Sequence, residues 1–519
     1  MTSIHDKIVL IDCQTTGMHP KNGAIVQLGW CLYDSRSTEP PVIHKRILQL
    51  PNNAALPAKI CKLLKMDITD LDNALSPEMA LSELNTVIQS LGRHAYIIIH
   101  YAQFELSFLK SYFSAYLENS IFDYTTICTQ KLGKRIFPNL PSYNLKALAG
   151  YFKLPKQPNN EVISHIEATL AIWLMIKNEL LKNNISRFSE LLPWMQDKHN
   201  FPKQTSYSYN IDSLERLKLP SEPGIYRMLS SDGRILYIGK ATSLKDRVNS
   251  YFRGFKNRDK RKLEMLAQVW SIKTEICDTV LEAELLESDE IKRWNPPYNV
   301  VLKGESRDLI FYNNEFSTYS PIKTDAFRKG FFRPFNAIES LIDMHRCLLL
   351  NDIFELWGDT YTDEVFQQAW KCFCNRNAIS LEAIYNAKPR QLLSIGCYLL
   401  RSFESQYGKY HFEKWWTAYK KNHPEVLDET IENLAEKIKR MFIRAADTKR
   451  KSRQLTVLLQ STIRIEATKK YLNIYNCKSD ALPCRVDYKN KSMDISLYDK
   501  LSILLSAKKN KLISTHDSW

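Results

Sequence analysis

Two hydrophobic rhythms alternate along the first part of the chain. KIVLIDC (residues 7–13) and YIIIH (residues 96–100) are short continuous apolar runs of buried-strand length. Around them, SPEMALSELNTVIQSLG, SYNLKALAGYF and EVISHIEATLAIWLMIKNEL place apolar residues three and four apart, the spacing of one helix face. This alternation over residues 6–185 predicts an α/β domain. The polar stretch DKHNFPKQTSYSYNID (residues 197–212) interrupts it and reads as a linker. Next come two apolar strands, GIYRML and RILYIG, separated by Asp232-Gly233, a turn pair suited to a tight hairpin. Gly239 closes the second strand. Thr242 or Ser243 can cap the helix LKDRVNSYF, and Thr279-Val280-Leu281-Glu282 has the form of a capping box opening another helix. From about Phe331 the period is helical in AIESLIDMHRCLLL, DEVFQQAWKCFC, PRQLLSIGCYLLRSF and ETIENLAEKIKRMFIRAAD. A short strand pair is expected around KKYLNIYNC and SMDISLYDKL. The resulting division is 1–195, a linker at 196–214, 215–304, and a mainly helical 305–519.

Composition narrows the possibilities. At 519 residues the chain exceeds one typical core, and 44% hydrophobic with 25% charged residues is ordinary globular usage. A net charge of +15 favours a polyanionic partner. No run approaches a membrane span, and MTSIHDKIVLIDC lacks the basic head, apolar core and cleavage site of a secretion signal, so the cytoplasm is expected and a membrane partner is not. Eleven scattered cysteines, an odd number, argue for reduced thiols over a disulfide framework.

The chemistry concentrates between Leu219 and Val300. Tyr226 and Tyr237 sit on the two strands, while Arg247 and Tyr251, four apart, share a helix face. Glu287 falls on the line Val280, Glu284, Glu287, Ile291, which reads as largely inward-facing and would require a cation or hydrogen-bond partner. Phosphodiester hydrolysis needs an activated water, a Lewis acid for the leaving oxygen and cations around the developing charge. One Mg²⁺ or Mn²⁺ on Glu287 would supply the second. Lys240 and Arg247 would stabilise a phenolate and lower a tyrosine pKa from about 10.

The ordered motifs LP-x-x-PG, GIY, YIG, K-A-x-x-L-x-x-R-V-x-S-Y-F and E-A-x-L-L-E-x-x-x-I-K-R-x-x-P-x-Y-N-V resemble the GIY-YIG nuclease domain of the UvrC and Cho excision-repair endonucleases. The resemblance implies a small α/β domain with Glu287 as metal ligand and Tyr237 as general base or its relay. It also implies phosphate contacts from Lys240 and Arg247, with Tyr226, Tyr251 and Asn299 shaping the site.

The first domain resembles the DEDDh exonucleases, the family of the polymerase proofreading subunit, through KIVLIDCQTTG, IIIHYAQFELSFLKSYF and EVISHIEATLAIWLMIKNEL. This implies an RNase H-like domain with a mixed sheet and flanking helices. The chemistry departs from the family. Asp12 is kept, but Gln14 stands for a glutamate, Glu105 for an aspartate and Leu170 for the last aspartate, with His165 retained. Four carboxylates have become two, too few for a two-metal centre, so the expectation is a degenerate site that packs or binds strands. Glu167 lies on a different helix face from position 170.

Further on, KGFFRPFNAIESLIDM resembles the segment that follows the nuclease domain in those repair endonucleases, with Arg333 in place of a glycine. Cys347, Cys372, Cys374 and Cys397 stand where an iron–sulfur cluster can follow, but without C-x-P-C character they read as buried helix thiols. Two basic groups are candidate DNA contacts: Lys256, Arg258, Lys260, Arg261 and Lys262, and a C-terminal run through Lys437, Lys439, Arg440 and Arg444 to Lys449, Arg450, Lys451 and Arg453 at the exit of a helix. The leading expectation is a metal-dependent endonuclease incising one DNA strand in bacterial nucleotide excision repair, delivered by a helicase of the UvrB type. A structure-specific nuclease of a mobile element or defence system, and a non-catalytic nucleic-acid scaffold, remain alternatives.

Overall fold

The computed structural model describes residues 7–51, 56–66, 68–92, 95–118, 120–197, 206–254, 259–302, 308–352, 362–407, 421, 431–459, 461–468, 471–472 and 494–517. The chain packs as two compact units, Met1–Cys277 with Pro296–Val300, and Asp278–Asn295 with Val301–Trp519. The stretch 215–304, expected as one domain, therefore contributes to both.

In the first unit, strands β1 (Ile8–Thr15), β2 (Ile25–Tyr33), β3 (Ile43–Ile47), β4 (Tyr96–Ile99) and β5 (Thr125–Cys128) form a mixed sheet in the order β3-β2-β1-β4-β5. β1 pairs antiparallel with β2 and parallel with β4. It is central and buried on both faces, which explains its continuous apolar run. Val9, Ile11 and Cys13 enter one core with helix α1 (Ala102–Tyr116). Ile8 and Leu10 enter the other, with helix α3 (Val162–Lys182) and Leu145 and Leu148 of helix α2 (Leu145–Tyr151). Asp12 and Gln14 share the parity of Ile8 and Leu10, and so face α3. The close approach of α3 depends on Gly29, the β2 partner of Asp12, where a Cβ would collide with Val162.

The same unit holds a three-stranded antiparallel sheet, β6 (Gly224–Leu229), β7 (Ile235–Ala241) and β8 (Ser271–Ile276), in the order β7-β6-β8. Its turn is the expected one: Gly233 takes φ +80, and the Asp232 carboxylate accepts from Ser230 Oγ and from the Arg234 main-chain N–H. Ser243, not Thr242, caps helix α4 (Leu244–Ser250) by accepting from the Asp246 N–H. Helix α5 (Lys260–Gln268) closes the core over Tyr226, Met228, Leu236 and Val248. Just past this helix, Trp270 meets α2 and the turn after it: its Nε1 donates to Gly150 O at 2.9 Å, and Lys153 lies 3.9 Å from its ring centre. The end of the polar linker is folded, with Ile211 buried in the small core.

The second unit opens with helix α6 (Val280–Trp294), whose capping box Thr279/Glu282 forms as expected. A sheet of β9 (Ile310–Tyr312), β10 (Tyr319–Ser320) and β11 (Lys329–Phe332) follows. Helices α7 (Ala337–Leu350), α8 (Asp363–Arg376), α9 (Pro389–Tyr407) and α10 (Ile431–Leu459) surround a core built on Trp370, Phe373 and Phe442. A last sheet joins β12 (Ser461–Ile465) to β13 (Tyr471–Leu472) and β14 (Ile513–Asp517), with helix α11 (Ile495–Lys509) between the latter two.

Two expectations are corrected here. Within SMDISLYDKL, whose first two residues lie outside the described ones, ISLYDKL is not a strand but the start of α11: Asp494 caps it, and Leu497, Leu501, Leu504 and Leu505 are buried at helical spacing. Its expected partner KKYLNIYNC is a strand only at Tyr471–Leu472, and the rest lies outside the described residues. Secondly, α10 runs on to Leu459, so Lys449, Arg450, Lys451 and Arg453 are helical residues and not a helix exit. No helix among the described residues is long and apolar enough to cross a membrane.

Candidate active sites

The small sheet and α4 bring three tyrosines together. The rings of Tyr226, Tyr237 and Tyr251 form a triangle with centroid separations of 6.1, 6.1 and 6.2 Å. Tyr226 is fully buried, and its hydroxyl and that of Tyr251 are 3.0 Å apart. The Arg247 guanidinium lies 5.5 Å from the Tyr251 ring centre, as the shared helix face requires. Burial, then the neighbouring Tyr251 and Tyr237 phenols, push Tyr226 far above the ordinary phenol range, and Arg247 offsets this only in part. Tyr226 is therefore a neutral hydrogen-bonding phenol. Tyr237, half-buried on β7, keeps a solvent-facing portion.

Two further residues build this cluster indirectly. Gly239 does not end a strand; it lies within β7 opposite Tyr226, and a Cβ there would strike the Tyr226 phenol. Asn299 is buried and uses its amide on main chain, accepting from Ile238 N–H at 3.0 Å and donating to Ile238 O at 2.9 Å. It fixes the strand beside Tyr237. Lys240 stands on the other pleat of β7 from Tyr237, opposite Ile225.

Glu287 is half-buried on α6. The buried residues of that helix are Leu281, Ala283, Leu285, Ser288 and Ile291, and Glu287 lies one turn from both Ala283 and Ile291, with Val280 and Glu284 half-buried. The helix is held within its own unit by apolar and ionic contacts. Leu281 and Leu285 pack with Leu501 and Leu504, Lys292 pairs with Asp499 at 3.0 Å, and Asp289 pairs with Lys500 at 2.8 Å. A single carboxylate suits Mg²⁺, which takes one or two protein carboxylates and completes its shell with water and phosphate oxygens.

The exonuclease-like site is closed on itself. Gln14 Nε2 donates to Asp12 Oδ2 at 2.8 Å and lies 3.1 Å from His165 Nδ1, which is also 3.1 Å from Asp12 Oδ1. Burial alone would lower His165, but the Asp12 carboxylate outweighs it and the imidazole titrates above its ordinary range. Glu105 is buried against Cys13, and burial, then Asp12, raises its carboxyl despite hydrogen bonds from Cys13. Among the described residues Glu105 Oε2 has no hydrogen-bond partner. Leu170 is half-buried on the hydrophobic face of α3, and Glu167 is exposed and paired with Lys156 at 3.0 Å. Among the described residues no group of three or more His, Cys, Asp or Glu side chains could hold a metal ion. His100, not anticipated from sequence, adjoins this site: it bonds Thr129 Oγ1 at 2.9 Å, and burial, then His165, pushes it down to about 3. It looked like the last residue of an apolar strand, and no motif marked it.

Cys347 and Cys374 are buried in the main core of the second unit, with Cys372 and Cys397 packed against it, and burial pushes Cys374 up to about 11. The two basic groups divide. Lys256 and Arg258 lie outside the described residues. Lys260 and Lys262 are exposed, whereas Arg261 donates to Pro297 O at 2.9 Å. Arg450 is paired with Glu404 and Asp447, Lys449 lies over Phe316, and Lys451 over Tyr498.

A family model described as the UvrC-like GIY-YIG domain matches residues 222–300, and one described as an exonuclease matches residues 9–165. UvrABC system protein C of Legionella pneumophila (strain Lens) is 49% identical over 88 residues, 17% of this chain and 14% of that protein. The GIY-YIG N-terminal endonuclease domain of UvrC from Thermotoga maritima, solved with magnesium, is 31% identical, covering 17% of this chain and 93% of that one at a TM-score of 0.15. The DEDDh nuclease domain of 3'hExo bound to rAMP is 15% identical over 36% of this chain and 98% of that one, at a TM-score of 0.30. The chain thus joins two nuclease domains of different type. Residues 222–300 match the UvrC-like GIY-YIG model, a domain that hydrolyses phosphodiester bonds, and residues 9–165 match the exonuclease model. The chain spans only a small fraction of the curated UvrC relatives it matches, 14% in the Legionella case.

Proposed function

We propose that the chain is a metal-dependent DNA endonuclease that incises one strand in nucleotide excision repair, with DNA delivered by a UvrB-type partner. The observation that carries this reading is the buried Tyr226–Tyr251 pair holding Tyr237 and Arg247 in one cluster. In this reading Tyr237, the accessible ring, holds and passes the proton of the attacking water, directly or by relay. Tyr226 and Tyr251 fix its position, and Arg247 places positive charge against the phosphate. Lys240, on the other pleat of β7 from Tyr237, is assigned a phosphate contact on the family resemblance and not on the geometry of this cluster. Glu287 would hold Mg²⁺ or Mn²⁺, and the bound ion supplies Lewis-acid stabilisation of the leaving oxygen. Asn299 acts through the β7 main chain.

The exonuclease-like domain is proposed to be inactive and to pack or bind strands. Gln14 puts an amide N–H against Asp12 where a family member has a carboxylate, and Leu170 supplies no ligand where the family has its last aspartate. Nicking of lesion-bearing, branched and undamaged duplexes in Mg²⁺ or Mn²⁺ tests the reading. Preferential incision of the lesion duplex is expected, and absence of nicking on all three would overturn it.

A further inference from the structure

The second unit contains a cleft of about 880 Å³ between the β11–α7 turn, α10 and α11. Five cations, Arg333, Arg444, Arg450, Lys451 and Lys509, line it against two carboxylates, Glu404 and Asp447. Both carboxylates are taken by Arg450, at 2.7 and 2.6 Å. Arg333 pairs with Asp499, which is shared with Lys292. Lys451 and Lys509 pair with no carboxylate among the described residues. The Lys451 ammonium instead lies 5.2 Å from the Tyr498 ring centre, with Arg333 5.0 Å from the same ring. Desolvation, then repulsion from Arg333 and Lys509, holds Lys451 below the ordinary lysine range. An anion in the cleft would relieve that repulsion.

An aromatic ring stands at the same cleft. Phe335 lines it and is 86% exposed, on a backbone with φ +54. A bulky residue in the left-handed region is strained, and burial of the ring does not compensate here. A flat apolar face beside unpaired cations is the pairing that single-stranded nucleic acid uses, with bases stacked on aromatic rings and phosphates on cations. The volume lies within the range of about 300–1,000 Å³ typical of small-ligand sites, enough for a nucleotide.

We propose that this cleft is a single-strand DNA subsite, in which Phe335 stacks a base and Lys451 and Lys509 hold the adjoining phosphate. The choice of DNA rests on the nuclease reading above; the site itself does not. An acidic peptide would satisfy the cations but leave Phe335 unexplained.

The test uses the full chain carrying Glu287→Ala, so that binding is read without cleavage. The probe is a short oligothymidylate containing one 2-aminopurine, with an unlabelled duplex and polyglutamate as competitors. The expected result is quenching of the 2-aminopurine on binding, and strong competition by single strands only. Phe335→Ala should abolish the quenching and weaken binding about 5- to 150-fold, the range for losing one base–aromatic stack. Lys451→Gln with Lys509→Gln should keep the quenching and reduce the log–log salt slope by about 0.7 for every phosphate that is no longer neutralised. Unchanged affinity and quenching in both variants would overturn the proposal, as would equal competition by polyglutamate or by duplex. Nicking is measured separately on wild type. Its absence there would sink the nuclease reading while leaving the binding result to decide the cleft.

Discussion

The two nuclease domains of this chain handle their polar groups in opposite ways. In the exonuclease-like site both oxygens of Asp12 are occupied from within the chain, by Gln14 and His165, while Glu105 turns to Cys13 and keeps Oε2 without a hydrogen-bond partner among the described residues. In the GIY-YIG cluster a buried phenol, Tyr226, is committed to holding Tyr251, and Tyr237 is left half-exposed beside Arg247. A site for chemistry needs positioned polar groups that substrate can still reach. The tyrosine cluster keeps a half-exposed phenol in the same cluster as a guanidinium, whereas the exonuclease-like site commits both Asp12 oxygens to neighbouring side chains.

The sharpest way to break this contrast is at the GIY-YIG residues. Glu287→Ala and Tyr237→Phe should each lower single-strand nicking by at least about 10²-fold, the usual loss for one essential group, with unchanged thermal unfolding. Wild-type nicking by Glu287→Ala in saturating Mg²⁺ would remove that residue from the mechanism.

Gly239→Ala comes next. Its methyl would meet the Tyr226 phenol, and overpacking of this kind costs about 1–3 kcal/mol. Reduced denaturant stability together with reduced nicking is expected, whereas a stable and active variant would show that the cluster tolerates displacement of Tyr226.

A smaller effect is expected at His165. Its raised titration depends on Asp12, so its stabilising ion pair is present below the unfolded value of 6.5 and is lost as pH rises through the higher folded value. In Asp12→Asn burial is left as the largest influence, and NMR titration should find His165 below its ordinary value. No downward movement would mean that the pair does not form.

The smallest effect of all is expected for Asp12→Ala on nuclease output. In the Glu287→Ala background, 3′-end degradation of labelled single strands should be negligible with or without Asp12. Robust metal-dependent degradation that disappears with Asp12 would make the exonuclease-like site a working one and erase the contrast.

Both nuclease folds were legible in the linear chain because their signals are local. The β6–β7 turn at Asp232-Gly233, the Thr279/Glu282 capping box and the i, i+4 pair Arg247/Tyr251 depend on residues close in sequence, and each formed as spacing predicts. The substitutions Gln14 and Leu170 were visible for the same reason. Other features depend on packing partners far away in the chain. SMDISLYDKL satisfies strand alternation and helical spacing alike over a few residues, and only the apolar surface beneath Leu497, Leu501 and Leu504 selects the helix. The sign of the Tyr226 shift followed burial, which no local pattern reports. The side of α6 that is buried was set by Leu501 and Leu504, more than two hundred positions downstream of Leu281. The basic residues at 449–453 look alike in sequence, yet one helix turns Arg450 to two carboxylates and Lys451 into a cleft with Phe335. Sequence by itself determined which chemistries this protein can attempt, since residue type and short spacing carry that information. Tertiary structure alone decided which charges are already neutralised and which still face an open site, because a charge is satisfied by neighbours in space and not by neighbours along the chain.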